Sequence, residues 1–97
     1  DDKFLDSCCH PALEQLASYD AKKGMELLET LRVYTEAGFS KAQAAQKLFI
    51  HRNTINYRIQ QIEQLCNIDL SDEKLLFSLQ MSFRIFSYRR NRLISNE

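Results

Sequence analysis

The stretch Ser40-Lys41-Ala42-Gln43-Ala44-Ala45-Gln46-Lys47-Leu48-Phe49-Ile50-His51-Arg52-Asn53-Thr54-Ile55-Asn56-Tyr57-Arg58-Ile59-Gln60-Gln61-Ile62-Glu63-Gln64-Leu65-Cys66 decides the fold. Ser40 followed by Gln43 three residues later is a capping-box pattern, which opens a helix. Ala42, Ala44 and Ala45 keep that helix slim, so another helix can pack close to it. It ends near Leu48, and Leu48–Ile50 leaves a short joint before a second helix from His51 to about Cys66. A short helix, a joint of about three residues and a longer helix have the spacing of a helix-turn-helix. Such a pair needs a small residue where the helices cross, and Ala45 supplies it. It also needs an apolar residue inside the second helix, and Ile55 supplies that. The joint often holds Gly, because one backbone position needs positive φ. Phe49 stands there instead, which implies either a differently shaped joint or a strained Phe49. Its side chain is expected to pack against the neighbouring helices.

On a wheel of about 100° per residue, Ile55, Ile59, Ile62 and Cys66 fall on one side of the second helix, the core face. Asn53, Asn56, Tyr57, Gln60 and Gln64 fall opposite, with Arg52 and Arg58 on the two flanks. An ordinary solvated face would be dominated by Glu and Lys, and Asn is only a modest helix former. An amide-rich, nearly uncharged outward face suits the reading of bases, since Asn and Gln pair bidentately with adenine. Flanking arginines suit phosphates on the groove walls. The N-terminal part of the second helix enters the major groove in such motifs, which puts His51, Arg52, Asn53, Asn56 and Tyr57 nearest to double-stranded DNA. Thr54 and the helix N-terminus can hold a phosphate. Ser40, Lys41, Arg58 and Gln60 complete the candidate DNA-binding set.

Plainer roles stand beside these. His51 alternatively serves as a helix cap, Arg58 as a structural ion-pair residue, and Tyr57 as a half-exposed packing residue. Asn53 and Asn56 are alternatively solvated polar residues, and Lys41 and Lys47 ordinary surface lysines. His10 is most simply a helix-start residue.

The rest of the chain fits one small helical domain. Hydrophobic residues make up 44 % and charged residues 27 % of the 97, a globular balance. Two Gly and one Pro are too few for a β-sandwich or barrel. Pro11 suits the first turn of a helix carrying Leu13, Leu16 and Tyr19, and Asp20 to Gly24 reads as a polar joint. A further helix from about Met25 to Ala37 carries the stripe Leu27, Leu28, Leu31 and Tyr34, and Gly38 stops it. Asn67 to Ser71 breaks the pattern, and Asp72 caps a long last helix reaching about Arg90. The expected architecture is therefore all-α: five helices containing a helix-turn-helix of the Fis-like or homeodomain-like kind, with a long C-terminal helix. The domain itself spans residues 11–92. Residues 1–10 are expected to end a linker from an N-terminal sensory region, and 93–97 form a tail.

Net charge is zero, but its distribution is uneven. Residues 1–38 hold four basic residues against eight acidic ones, whereas residues 39–66 hold Lys41, Lys47, Arg52 and Arg58 against Glu63 alone. Such asymmetry within a small domain is more telling than the total, and it also means that one copy neutralises few phosphates and binds weakly. Three cysteines, Cys8, Cys9 and Cys66, have neither disulfide-framework nor zinc spacing and read as reduced cytosolic thiols. No cofactor or metal is expected, and no membrane span, since no run of about 18 apolar residues exists. No signal peptide is visible, and the expected location is cytoplasmic. No carboxylate pair, activated nucleophile or phosphate-cradling Gly loop points to an enzyme.

Taken together, the runs Leu27-Leu28-Glu29-Thr30-Leu31-Arg32-Val33-Tyr34 and Ala44 to Ile59, then Ile62-Glu63 and Asp69-Leu70, closely resemble the C-terminal domain of the PucR family. This family comprises bacterial transcription regulators of the purine-catabolism and sugar-diacid types. The specific part is the block from Leu48 to Ile59, and the likeness covers about residues 11–90. The resemblance implies sequence-specific control of transcription, with a small-molecule effector bound by a region N-terminal to the domain. Family members often carry Arg where this chain has Asn56, which implies a different operator sequence.

The last helix carries two apolar stripes. Leu75, Leu76, Leu79, Phe83 and Phe86 share one face, and Phe77, Met81, Ile85 and Tyr88 a roughly opposite one. A helix apolar all round must be buried all round. One stripe closes the core, and the other calls for a second chain, making a homodimer through Phe77, Met81, Ile85 and Tyr88, or for cover by the N-terminal helix. Arg89, Arg90 and Arg92 read as a complement to the helix dipole or a backbone-contacting tail. The competing reading of the whole chain is a helical oligomerisation or protein-docking module that keeps the helix-turn-helix shape without binding DNA. Neutral charge and the two-faced last helix favour it, and the amide face of the fourth helix disfavours it.

Overall fold

The computed structural model describes residues 10–95, with side chains described through Ser87. Five helices follow one another: α1 (Pro11–Lys23), α2 (Leu27–Glu36), α3 (Lys41–Leu48), α4 (Arg52–Cys66) and α5 (Glu73–Ser95), and no strand occurs among the described residues. This is the all-α, five-helix architecture expected. The two adjacent cysteines, Cys8 and Cys9, lie outside the described residues. Cys66 is a free, half-buried thiol, and burial pushes its pKa up.

Helix α2 is the centre of the fold, because α1, α3, α4 and α5 all pack on it. Its stripe behaves as expected, with Leu27, Leu31 and Tyr34 buried and Leu28 half-buried. Thr30 and Thr35 are buried as well, and each hydroxyl donates to a backbone carbonyl of its own helix, Glu26 O at 2.8 Å and Arg32 O at 2.8 Å. These local bonds let two polar side chains enter the core without an unmet donor. Outside, Arg32 bridges Glu29 and Glu36 across one exposed face. Such surface pairs add little to stability.

The joint between α1 and α2 is shorter than the sequence pattern predicts. Asp20 to Lys23 are helical, and the turn proper is Gly24 to Glu26. Gly24 takes the left-handed conformation (φ 65°), and its N–H bonds to Asp20 O. Asp20 then serves the next helix. Its carboxylate accepts from the N–H groups of Leu27 and Leu28, both at 2.9 Å. Glu26, the residue at the N-cap position, makes no side-chain cap bond. The orphan donors at the start of α2 are thus met by an acidic side chain from α1.

Both ends of the chain's core are tied together. His10 caps α1, its Nδ1 accepting from Ala12 N–H at 3.0 Å, and its own N–H donates to Ser82 Oγ in α5 at 2.8 Å. Asp72 caps α5 through Lys74 N–H at 2.9 Å, as predicted. One stripe of α5 closes the core with Leu79 and Phe83, and Leu75 and Phe86 pack beside them. Of the other stripe, Phe77 is 68 % and Met81 43 % exposed, so α1 leaves these two uncovered, while Ile85 is half-buried. Helix α5 runs beyond the expected end at Arg90. The side chains of Tyr88, Arg89, Arg90 and Arg92, and so the roles expected of them, lie outside those described. No helix among the described residues is long and apolar enough to cross a membrane.

Candidate nucleic-acid interface

Helices α3 and α4 pack on each other, and both pack on α2. Ala45 is 7 % exposed and Ile55 fully buried, so the small-residue crossing and the apolar lock stand where the spacing put them. Ser40 caps α3, its Oγ accepting from Gln43 N–H at 3.3 Å. The reciprocal half of the capping box is not formed, because Ser40 N–H is already bonded to Ala37 O at 3.2 Å. The Gly38–Phe39 turn that ends α2 has taken that donor.

Helix α4 divides cleanly. Ile55, Ile59 and Ile62 are buried, and Cys66 is half-buried. His51, Arg52, Asn53, Tyr57, Gln60 and Gln64 are exposed, while Thr54 and Asn56 are half-buried. The outward face is therefore amide-rich in space as well as on the wheel. His51 is the N-cap, with Nδ1 accepting from Asn53 N–H at 3.0 Å. That bond fixes Nδ1 as acceptor and leaves Nε2–H as an outward donor, so the capping role and a phosphate contact are compatible. No acidic residue stands in the first turn of α4, and the positive end of its dipole is uncompensated. Lys41 is exposed at the start of α3, beside Ser40.

Arg58 departs from the set. Its Nη1 donates to Thr30 Oγ1 in α2 at 3.1 Å, and the side chain is half-buried. It ties α4 to the central helix through a neutral hydroxyl, where the plainer sequence reading expected an ion pair. The same bond gives the buried Thr30 hydroxyl an acceptor function in addition to its donor bond. Nothing in the local pattern around Thr30 marks it for this, since its partner is 28 residues away.

Phe49 contradicts the sequence reading in one respect and fulfils it in another. It has φ 57° and ψ 42°, the left-handed conformation, as C-cap of α3. For an L-residue with a side chain this costs about 1–2 kcal/mol. The ring was expected to pack against neighbouring helices, yet it is 94 % exposed. The turn bonds Phe49 N–H to Gln46 O and Ile50 N–H to Ala45 O, a C-terminal cap that meets the last carbonyls of α3.

This arrangement, a slim helix crossed by a second helix with a buried apolar face and an exposed amide face, defines a helix-turn-helix DNA-binding domain of a transcription regulator. Residues 27–85 match the PucR C-terminal helix-turn-helix domain, and the chain belongs to that family. It is similar to the proline-responsive transcriptional activator PutR of Bacillus subtilis (strain 168), 47 % identical over 60 residues, which are 62 % of this chain and 15 % of that protein. It is also similar to two further proteins of the same organism. The DNA-binding transcriptional activator AdeR is 32 % identical over 76 % of this chain and 18 % of its own length. The purine catabolism regulatory protein is 34 % identical over 86 % of this chain and 15 % of its own length. The matched part thus spans less than a fifth of each of these relatives. No solved structure matches.

Proposed function

We propose that α4 enters the major groove of duplex DNA and reads sequence through Asn53, Asn56 and Gln60, with Tyr57 beside them. Arg52, His51 and Thr54 at the N-terminus of α4, and Ser40 and Lys41 at the start of α3, hold phosphates on either side. Arg58 sets the angle of α4 on the scaffold through Thr30. The observation that carries this reading is the exposed, uncharged amide face of a helix whose opposite face is core. Amides placed there match adenine edges.

Two copies act together in this proposal. The exposed Phe77 and Met81, with the half-buried Ile85 one turn on, support a homodimer. Joining two weakly binding copies raises avidity and lets them read half-sites about one helical turn apart. Met81→Glu is expected to shift the chain toward monomer in sedimentation, and an unchanged oligomeric state counts against the stripe as interface. In the whole protein, a small-molecule effector acts on a region N-terminal to this domain, and the regulator works in the bacterial cytoplasm, where its DNA is.

The deciding experiment is binding to duplexes selected from a genomic pool, across a range of salt. Asn53→Ala is expected to relax sequence preference. Arg52→Ala is expected to weaken binding to all sequences and to lower the salt slope by about one. A wild-type chain that selects no sequence, or an Asn53→Ala variant with unchanged preference, refutes the assignment of the reading face.

A further inference from the structure

We propose that Phe49 is a further DNA contact, its ring packing on the deoxyribose-lined wall of the groove that α4 enters. The inference rests on the groove reading above and extends the interface to the turn. It starts from a comparison inside the fold. Two phenylalanines have positive φ, Phe39 at 63° and Phe49 at 57°. Phe39 is half-buried and stacked on Tyr34, with ring centroids 4.9 Å apart and planes 15° apart. Packing offsets its backbone strain. Phe49 has no such return, since its ring is almost wholly in solvent.

The other left-handed helix ends show what the position ordinarily takes. Gly24 ends α1 and Asn67 ends α4, the two residue types that tolerate this conformation best. Phe49 therefore combines a strained backbone with an exposed apolar ring, two unfavourable features that the free chain does not recover. Strain held at a surface turn points to a bound state in which the side chain is used.

Position and charge select the occupant. Phe49 is two residues before His51, so their Cα atoms lie no more than about 7.6 Å apart. A ring there reaches the groove wall when His51 and Arg52 do. Gln46, Lys47, His51, Arg52 and Asn53 around it are all exposed and polar, and no acidic residue occurs from Ser40 to Ile62. A protein-docking anchor would sit within an apolar patch. A lone ring in a basic, amide-rich surround fits the sugar face of an anionic backbone.

Phe49→Gly and Phe49→Asn test this, because both residues accept the left-handed turn and both remove the ring. The 97-residue chain is titrated into two duplexes, one selected by the wild type and one of random sequence, across a range of salt. Both variants are expected to melt at or above the wild-type temperature. They are expected to lose affinity for both duplexes alike, by about tenfold, with the salt slope unchanged. That pattern differs from the relaxed preference of Asn53→Ala and from the shallower slope of Arg52→Ala. Wild-type affinity in the Phe49 variants, with Asn53→Ala still relaxing preference, overturns this proposal alone and directs the ring to a protein partner. A fall in affinity with a shallower slope also overturns it. If the wild-type chain binds neither duplex, the groove reading fails and this extension fails with it.

Discussion

Replacing Asp20 by alanine removes both acceptors at the start of α2. In the structure the two carboxylate oxygens each take one N–H, from Leu27 and Leu28, at 2.9 Å. Losing an N-cap acceptor costs about 0.5–2 kcal/mol, and here one side chain meets two donors while its negative charge is stabilised by the positive end of the helix dipole. Water reaches part of the site and replaces some of the loss, which sets the expected cost of Asp20→Ala at about 2 kcal/mol. For a domain of this size that lowers the melting temperature by about 8–16 °C. Asp20→Asn keeps one acceptor oxygen and no charge, so about half the loss is expected. Urea and thermal unfolding measure the totals, and amide exchange locates them, with Leu27 and Leu28 losing protection first. Because α2 carries every other helix, the effect should appear as a cooperative loss of the whole domain. An Asp20→Ala variant within about 0.5 kcal/mol of wild type, the range of ordinary surface substitutions, would refute the reasoning.

Three further outcomes are expected. Arg58→Ala and Thr30→Val, combined in a double-mutant cycle of unfolding free energies, should show a coupling of about 1 kcal/mol, and a cycle that closes additively removes the tie between α4 and α2. Ala45→Leu overfills the crossing of α3 and α4 and should cost about 1–3 kcal/mol in unfolding. It should also weaken DNA binding more than Leu65→Ala, a truncation at an exposed site near the C-terminal end of α4. The third concerns pH. Burial holds the His10 imidazole below its ordinary 6.5, and the neutral ring also accepts the cap bond from Ala12. The unfolded chain therefore takes up the proton first as pH falls. Stability from His10 is complete above 6.5 and is lost as pH drops through the lowered folded value. His10→Asn, which keeps a capping acceptor, should flatten that part of the stability profile, and an unchanged profile assigns the slope to other groups.

What was legible in the sequence is what depends on short-range periodicity. Ile55, Ile59 and Ile62 reveal the buried face of α4 because a helix repeats every few residues, and the exposed Asn53 and Gln60 follow by subtraction. The crossing of Ala45 under α4 follows from residue size alone, and Pro11 and Asp72 announce helix starts through their backbone chemistry. The readings that went astray depend on neighbours distant in the chain. Asp20 looks like a turn residue until the chain reverses at Gly24 and brings Leu27 and Leu28 within reach. Gln43 matches a capping box, but the Ser40 N–H it needs is claimed by Ala37. The direction of Arg58 is decided by a hydroxyl on another helix. Phe49 reads as a packing residue in the sequence, yet its ring is exposed, whereas Phe39, equally left-handed, finds Tyr34 to stack on; which of two such turns has a neighbour in reach is set by the fold.

The division of α4 into two faces also bears on how a regulator of this kind diversifies. The isoleucines that hold α4 to the scaffold are buried, whereas Asn53 and Gln60 on the same backbone are exposed. On the proposed reading, substitutions at the exposed Asn53 or Gln60 change the operator at little cost to folding, so lineages explore new operators one position at a time without passing through unfolded ancestors. Phe49 lies outside that freedom if its ring grips the groove wall: it would hold the register of the helix constant while the letters being read change.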